Sequence, residues 1–321
     1  MQFQIPELNK CRYAPGSPAI ILFLICFFLG VQPDELPAAD TELTIIYSNN
    51  TNGLLENCQC PEHAYGALEK RAAVIDSLRR SGKNILLLES GDLLDIRKNT
   101  LLHGYVVQAY EKMKYDAWTC GDQDFMEGAG FFKSMLNNPA FPPLLCTNIM
   151  QLQMSGNSAV GQKYLIKKYG RLRIGITGTI NQDFHKYLEK ESQAEFMFTE
   201  QKSALQAVLT ELKPQCDFIV LISHSGFEQD KKLAEWFPLI NVIIGGHSQT
   251  ILAETYLAGK TCIVQCGENG YRLGILTLHF ADQQLTAQTN KLILLDAGIG
   301  NSAFVLELIR SYQQQLVKKK H

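Results

Sequence analysis

The sequence predicts an α/β fold, and three observations carry that reading. Short apolar strands alternate with helical patterns through most of the 321 residues, as in a sheet with helices on its faces. Hydrophobic residues make up 46% of the chain, enough for a sizeable core in one large domain or two small ones. Five short polar segments, each carrying glycine, follow apolar strands, where open α/β sheets set their ligands. A formal net charge of -2 with interspersed charges leaves no basic stripe for nucleic acid, and Lys318-Lys319-Lys320 reads as a solvated tail.

The chain opens differently. Lys10 and Arg12 precede an apolar run over residues 19–31, and a polar stretch ending Leu36-Pro37-Ala38-Ala39 follows. This is the pattern of a secretory signal peptide. The run is shorter than the about 20 residues a membrane span needs. Residues 1–39 are therefore expected to be cleaved after Ala38 or Ala39, with an uncleaved N-terminal anchor as the alternative. Beyond that segment no membrane insertion is expected, and export to a periplasmic or extracellular, oxidising compartment follows.

A first strand is predicted over 43–47. In the next helix Ala67, Ala72, Val74, Ile75 and Leu78 recur at helical spacing, with Glu69, Lys70, Arg71, Arg79 and Arg80 facing out and Ser81-Gly82 ending it. Strands over 85–88 and 143–146 follow, the first completing a strand-helix-strand crossover. Further strands are predicted over 164–168, 172–177, 218–222 and 240–244, with helices between them. Those over 261–265, 273–280 and 291–295 have the spacing of antiparallel hairpins. One continuous domain is expected over 41–300, with 181–200 its least regular insertion. Residues 301–321 form a C-terminal helix, over 302–317, and a basic tail.

The five segments are Asn50-Thr51-Asn52-Gly53, Gly91-Asp92, Gly121-Asp122-Gln123-Asp124, Ser223-His224-Ser225-Gly226 and Gly245-Gly246-His247-Ser248-Gln249. In order and setting they resemble the calcineurin-like metallophosphoesterase superfamily, specifically the N-terminal catalytic domain of secreted 5′-nucleotidases, of which this looks like a divergent relative. There the motifs run Asp-x-His, Gly-Asp, Gly-Asn-His-Glu, a later His, and Gly-His-x-His or a close variant. The likeness spans about residues 42–300 and includes Gly66-Ala67-Leu68-Glu69-Lys70-Arg71 and Tyr115-Asp116-Ala117. It implies the family's four-layer α/β/β/α sandwich, two mixed sheets packed face to face with helices outside.

Carried over position by position, the resemblance implies Asp92, Asp122, His224 and His247 as ligands of one divalent ion, manganese, zinc or iron. At the family's other metal position Asn50 and Asn52 stand for an aspartate and a histidine, and Gln249 for a histidine. Neutral amide oxygens bind such ions poorly. Gln123 replaces the histidine that supports charge development on the phosphoryl group, and glutamine donates a hydrogen bond but gives up no proton. The expected activity is hydrolysis of a small phosphate or related ester at a reduced, single-metal site. Asn50, Asn52, Gln123 and Gln249 are its candidate catalytic residues, holding oxygens by neutral hydrogen bonds.

Of nine cysteines, removing Cys11 and Cys26 leaves seven, so at least one thiol is free, metal-bound or intermolecular. Cys58 and Cys60, with His63, follow the altered first segment. They offer a second, soft-metal site, a strained reducible disulfide, or ordinary disulfides to other partners. The first two define an alternative function, a non-hydrolytic redox or metal-binding protein on the same scaffold; a pseudoenzyme binding a protein partner is another. Cys262 and Cys266 read as a core thiol and half of a disulfide. Glu268-Asn269-Gly270-Tyr271 looks like the family loop that borders the metal site.

Overall fold

The structure is a computed structural model describing residues 40–57 and 65–319. The signal-peptide reading of 1–39 and the candidates Cys58, Cys60 and His63 lie outside the described residues.

The chain runs β1 (Thr41–Ser48), α1 (Leu68–Arg79), β2 (Asn84–Glu89), α2 (Thr100–Met113), β3 (Ala117–Trp118) and α3 (Ala129–Leu136). It continues through β4 (Ile149–Gln151), β5 (Ser158–Ala159), β6 (Tyr164–Tyr169), β7 (Leu172–Ile180), α4 (Lys190–Glu195), β8 (Phe196–Phe198), α5 (Gln201–Leu212), β9 (Phe218–His224) and α6 (Phe227–Trp236). Then come β10 (Val242–Gly245), β11 (Tyr256–Ala258), β12 (Thr261–Val264), β13 (Arg272–Ala281), β14 (Gln284–Leu294) and α7 (Ala303–Lys319). One sheet has the order β14-β13-β1-β2-β3 and the second β11-β12-β10-β9-β7-β6, while β5, β4 and β8 form a small third sheet. Both large sheets are mixed: β1, β2 and β3 are parallel, as are β7, β9, β10 and β12, and antiparallel strands flank each set.

Strand period explains the layers, because alternate residues face opposite sides. Leu43, Ile45 and Tyr47 of β1 and Leu86 and Leu88 of β2 enter a buried cluster with Ile174, Ile176, Val220, Ile222, Val242 and Ile244 of the second sheet. Ile46 and Leu87, pointing the other way, pack with Leu68, Ile75, Val106 and Tyr110 of the helices. On the far side Ile219, Leu221 and Ile243 meet Leu205, Leu209 and Leu233 of α5 and α6. The result is the expected α/β/β/α sandwich. Because both faces of each central strand are covered, these strands read as continuous apolar runs.

Three expectations need correction. Residues 143–146 form isolated parallel bridges, Trp118 to Leu144 and Leu145 to Gln162, instead of a strand; Pro143 beside Pro142 supplies no ladder N–H. The fully buried segment Thr-Cys-Ile-Val of β12 lies in the second sheet, in an antiparallel hairpin with β11 and parallel to β10, so of the three late strands only β13 and β14 pair with each other. Glu69, Lys70 and Arg71 are buried. The segment leading into α7 covers them: Lys70 Nζ donates to the Ile299 carbonyl (3.0 Å) and Ser302 N–H to the Glu69 carbonyl (2.8 Å). α7 itself docks through Val305, Leu308, Ile309 and Tyr312, with Tyr312 edge-on to Tyr105 of α2. No helix among the described residues is long and apolar enough to cross a membrane.

Candidate metal centre

Each of the five segments lies where a strand of a large sheet ends or its neighbour begins a turn, and together they gather at one edge of the two sheets. Asn50, Asn52, Asp92, His247 and Gln249 all have φ between 48° and 67°. Non-glycine residues adopt that region rarely, and such strain gathers at functional sites where surrounding contacts enforce it. Close approach adds a second constraint: a Cβ on Gly121 would collide with Asp92 and His224, and one on Gly246 with the Ser90 carbonyl. Glycine is therefore what lets the turns close around His224.

Asp92, Asp122, His224 and His247 converge, each offering one donor atom, and all four atoms lie within 4.8 Å of one another. Nε2 of His224 stands 3.3 Å from Asp92 Oδ1 and 3.5 Å from Asp122 Oδ1. Nδ1 of His247 is 3.3 Å from the same Asp122 oxygen. Nδ1 of His224 faces the Ser90 carbonyl at 2.6 Å, so it carries the hydrogen and the neutral ring turns its Nε2 lone pair to the centre.

His224 Nε2 and Asp122 Oδ1 are both buried without a hydrogen-bond partner. A lone pair aimed at two carboxylate oxygens is repulsive unless a positive charge lies between them. Without an ion a proton serves: burial opposes the imidazolium, but Asp92 and Asp122 push the His224 pKa well above its ordinary value. Burial likewise opposes ionisation of Asp122, and the two histidines outweigh it and hold that carboxyl well below the usual range. Two imidazoles and two carboxylates around orphaned donor atoms fit a divalent transition ion.

The amide residues sit differently. The backbone N–H of His247 donates to Asn50 Oδ1 (3.1 Å), which orients the amide and leaves Nδ2 to donate to Asp92 Oδ2 (3.2 Å). Gln123 Nε2 donates to the same Asp92 oxygen (2.9 Å) and its backbone N–H to Oδ1 (3.2 Å). One carboxylate oxygen of Asp92 thus faces the histidine and the other is capped by two amides. Asn52 is set apart: its Nδ2 donates to Asn269 Oδ1 (2.9 Å), while its Oδ1 is buried without a partner. Gln249 is exposed, and among the described residues its side chain makes no hydrogen bond.

Sequence reasoning missed the supports. Asp124 accepts backbone N–H bonds from Asp92 (3.1 Å), Leu93 (2.8 Å), Leu94 (3.2 Å) and Gly121 (2.8 Å), tying two ligand turns to one carboxylate. Burial and the Asp92 charge push Asp124 up to about 8 against these donors. Beneath the first segment, Arg71 Nη1 donates to Thr51 Oγ1 (2.9 Å) and Tyr110 Oη (2.6 Å), and lies 3.4 Å from Glu89 Oε2. The available signals were the places of Asp124 in the third segment and of Arg71 in the helix motif. Cys262 and Cys266 are both buried free thiols, and Cys266 Sγ bonds to Asn49 Oδ1 (2.9 Å), correcting the expected half-disulfide.

The fold and the convergent Asp/His set are similar to those of calcineurin-like phosphoesterases. No family model matches the chain. It is 26% identical over 341 residues to a 5′-nucleotidase of Diplobatis ommata, covering 94% of this chain and 56% of that protein. Among solved structures, a 5′-nucleotidase precursor from Thermus thermophilus matches 86% of this chain and 59% of its own at a TM-score of 0.73 and 22% identity. The calcineurin-like phosphoesterase YfkN of Bacillus subtilis matches 88% and 99% at a TM-score of 0.73 and 18% identity. The curated proteins it resembles are 5′-nucleotidases. It spans about half the length of the curated relatives it matches.

Proposed function

We propose that the chain is an exported hydrolase of a small phosphate or related ester, working with one divalent ion held by Asp92, Asp122, His224 and His247. The observation that carries the reading is the pair of orphaned buried atoms, His224 Nε2 and Asp122 Oδ1, inside a ligand set of the right chemistry. Manganese, zinc or iron suits that set. When bound, such an ion supplies Lewis-acid polarisation and lowers the pKa of a coordinated water.

The protein's own part is positioning. Ser90 fixes the His224 tautomer, Asp124 holds the two aspartate turns together, and Asn50 grips the backbone N–H of His247. Gln123 and Asn50 place N–H groups on Asp92 Oδ2, so that oxygen is engaged by protein donors while Oδ1 faces His224. That capping supports a single-ion site. Amide N–H groups stabilise developing negative charge without proton transfer, so proton delivery to a leaving group falls to water.

The test is the full chain purified, loaded with manganese or zinc, and assayed on a broad panel of phosphoesters that includes nucleoside monophosphates. Metal-dependent turnover that chelation abolishes is the expected result. A preparation that binds one ion and hydrolyses nothing on the panel would sink the hydrolytic reading.

A further inference from the structure

His247 is the least supported of the four ligands. Its side chain is 31% exposed, whereas that of His224 is fully buried. His224 has the Ser90 carbonyl to hold its second nitrogen, but among the described residues no hydrogen bond reaches the far ring nitrogen of His247. The outer partner of a metal-binding histidine, a carboxylate, a carbonyl or water, fixes the ring and its tautomer, and for His247 no protein group among the described residues supplies it. The backbone cannot settle the ring either: His247 sits at φ 67°, and Asn50 holds only its main chain.

What touches the ring is Phe184. The two ring centroids are 3.8 Å apart at an interplanar angle of 23°, a close parallel stack. Phe184 also meets the His224 ring at 78° and 6.2 Å, so it packs against both imidazoles. Its own placement is secured at the end of β7. There Asn181 donates its N–H to the His224 carbonyl (3.2 Å), and Phe184 donates its N–H to the Asn181 carbonyl (3.1 Å). Phe184 is 7% exposed and belongs to the buried cluster that includes Ile180 and Leu188. Tyr187 covers its outer side, with centroids 5.9 Å apart, and is itself 53% exposed.

We propose that Phe184 is a positioning residue for the metal centre, its stacked ring fixing the plane of the His247 imidazole and holding it toward Asp122. The inference rests on the single-ion reading. Aromatic stacking fixes a ring plane without consuming either nitrogen, which suits a ligand whose backbone is clasped from the other side. The short turn at Gln182–Tyr187, at the start of the insertion expected over 181–200, thus delivers Phe184 to the site while Tyr187 stays outside it.

The experiment is titration of the full chain with cobalt(II), read by calorimetry and by the visible spectrum of the bound ion, with thermal unfolding of the metal-free protein measured in parallel. Phe184→Leu should weaken cobalt affinity about 10-fold or more, the loss typical of removing an outer-shell partner, and alter the spectrum. Phe184→Tyr, which keeps the stack, should restore both, and Tyr187→Ala should leave both at wild-type values. Phe184→Met, close in volume, carries the same prediction should the leucine variant unfold. Wild-type affinity and spectrum in Phe184→Leu or Phe184→Met overturn the proposal while leaving the single-ion reading intact. Wild-type protein that takes up no cobalt, or takes it up unchanged in His224→Ala, overturns that reading and the proposal with it.

Discussion

The two halves of the site share one edge of the sandwich and one kind of strained turn, yet their polar atoms are in opposite states. In the half built from Asp92, Asp122, His224 and His247, donor atoms converge and two of them are buried without partners. In the half built around Asn50, both amide atoms are spent: Oδ1 on the His247 N–H and Nδ2 on Asp92. An orphaned buried polar atom costs about 1–3 kcal/mol, so a fold retains a cluster of them only where something else compensates. The first half reads as a socket for a cation, and in the second the Asn50 amide is taken up by protein, with Asn52 Oδ1 left as its one orphaned atom.

The largest way to break the contrast is His224→Ala. It removes the one ligand whose second nitrogen is fully committed, and it leaves Asp92 and Asp122 facing each other in a buried pocket. Ion affinity, measured by calorimetry on the metal-free protein, should fall by more than the roughly 10–100-fold typical of losing an outer partner, because a direct ligand is removed. Retained affinity would place the ion elsewhere.

A sharper test converts one half toward the other. Asn50→Asp puts a carboxylate where an amide now caps Asp92 Oδ2. In the metal-free protein it exchanges an attractive contact for a buried repulsion, and stability should drop by about 1–3 kcal/mol in urea denaturation. With excess manganese the loss should shrink, and metal content should rise above that of the parent, because an aspartate offers the lone pairs the amide withholds. Unchanged metal content together with an unrecovered stability would mean that the amide is structural and nothing more.

How much of this was legible follows from where the information sits. The four candidate ligands could be read because each is a titratable residue just past an apolar strand, and strand ends are visible in a local pattern. The supports were not readable in the same way, because their meaning depends on partners far along the chain. Helical period places Arg71 on the outer face of α1, yet Glu89 and Tyr110 lie beneath it and the segment entering α7 covers its neighbours. Phe184 sits in a stretch with no regular pattern, and only β7 and β9 lying side by side bring its turn to the His224 backbone. The strand predicted over 261–265 was recognised as a strand and assigned the wrong neighbours, since apolar content reports burial and not pairing.

Gln249 tests the boundary of that legibility. Like Asn50 and Asn52 it is a neutral amide standing where the resembled family has a metal ligand, and by residue type the sequence groups the three together. In the fold it is exposed at φ 56°, just past His247, and no amide contact joins it to Asp92. Gln249→Ala should therefore leave ion affinity at the parent value and change stability within about 0.5 kcal/mol, as exposed substitutions generally do. A loss of turnover without loss of ion affinity would show that Gln249 acts on bound substrate, and would extend the amide half of the site outward to the solvent edge.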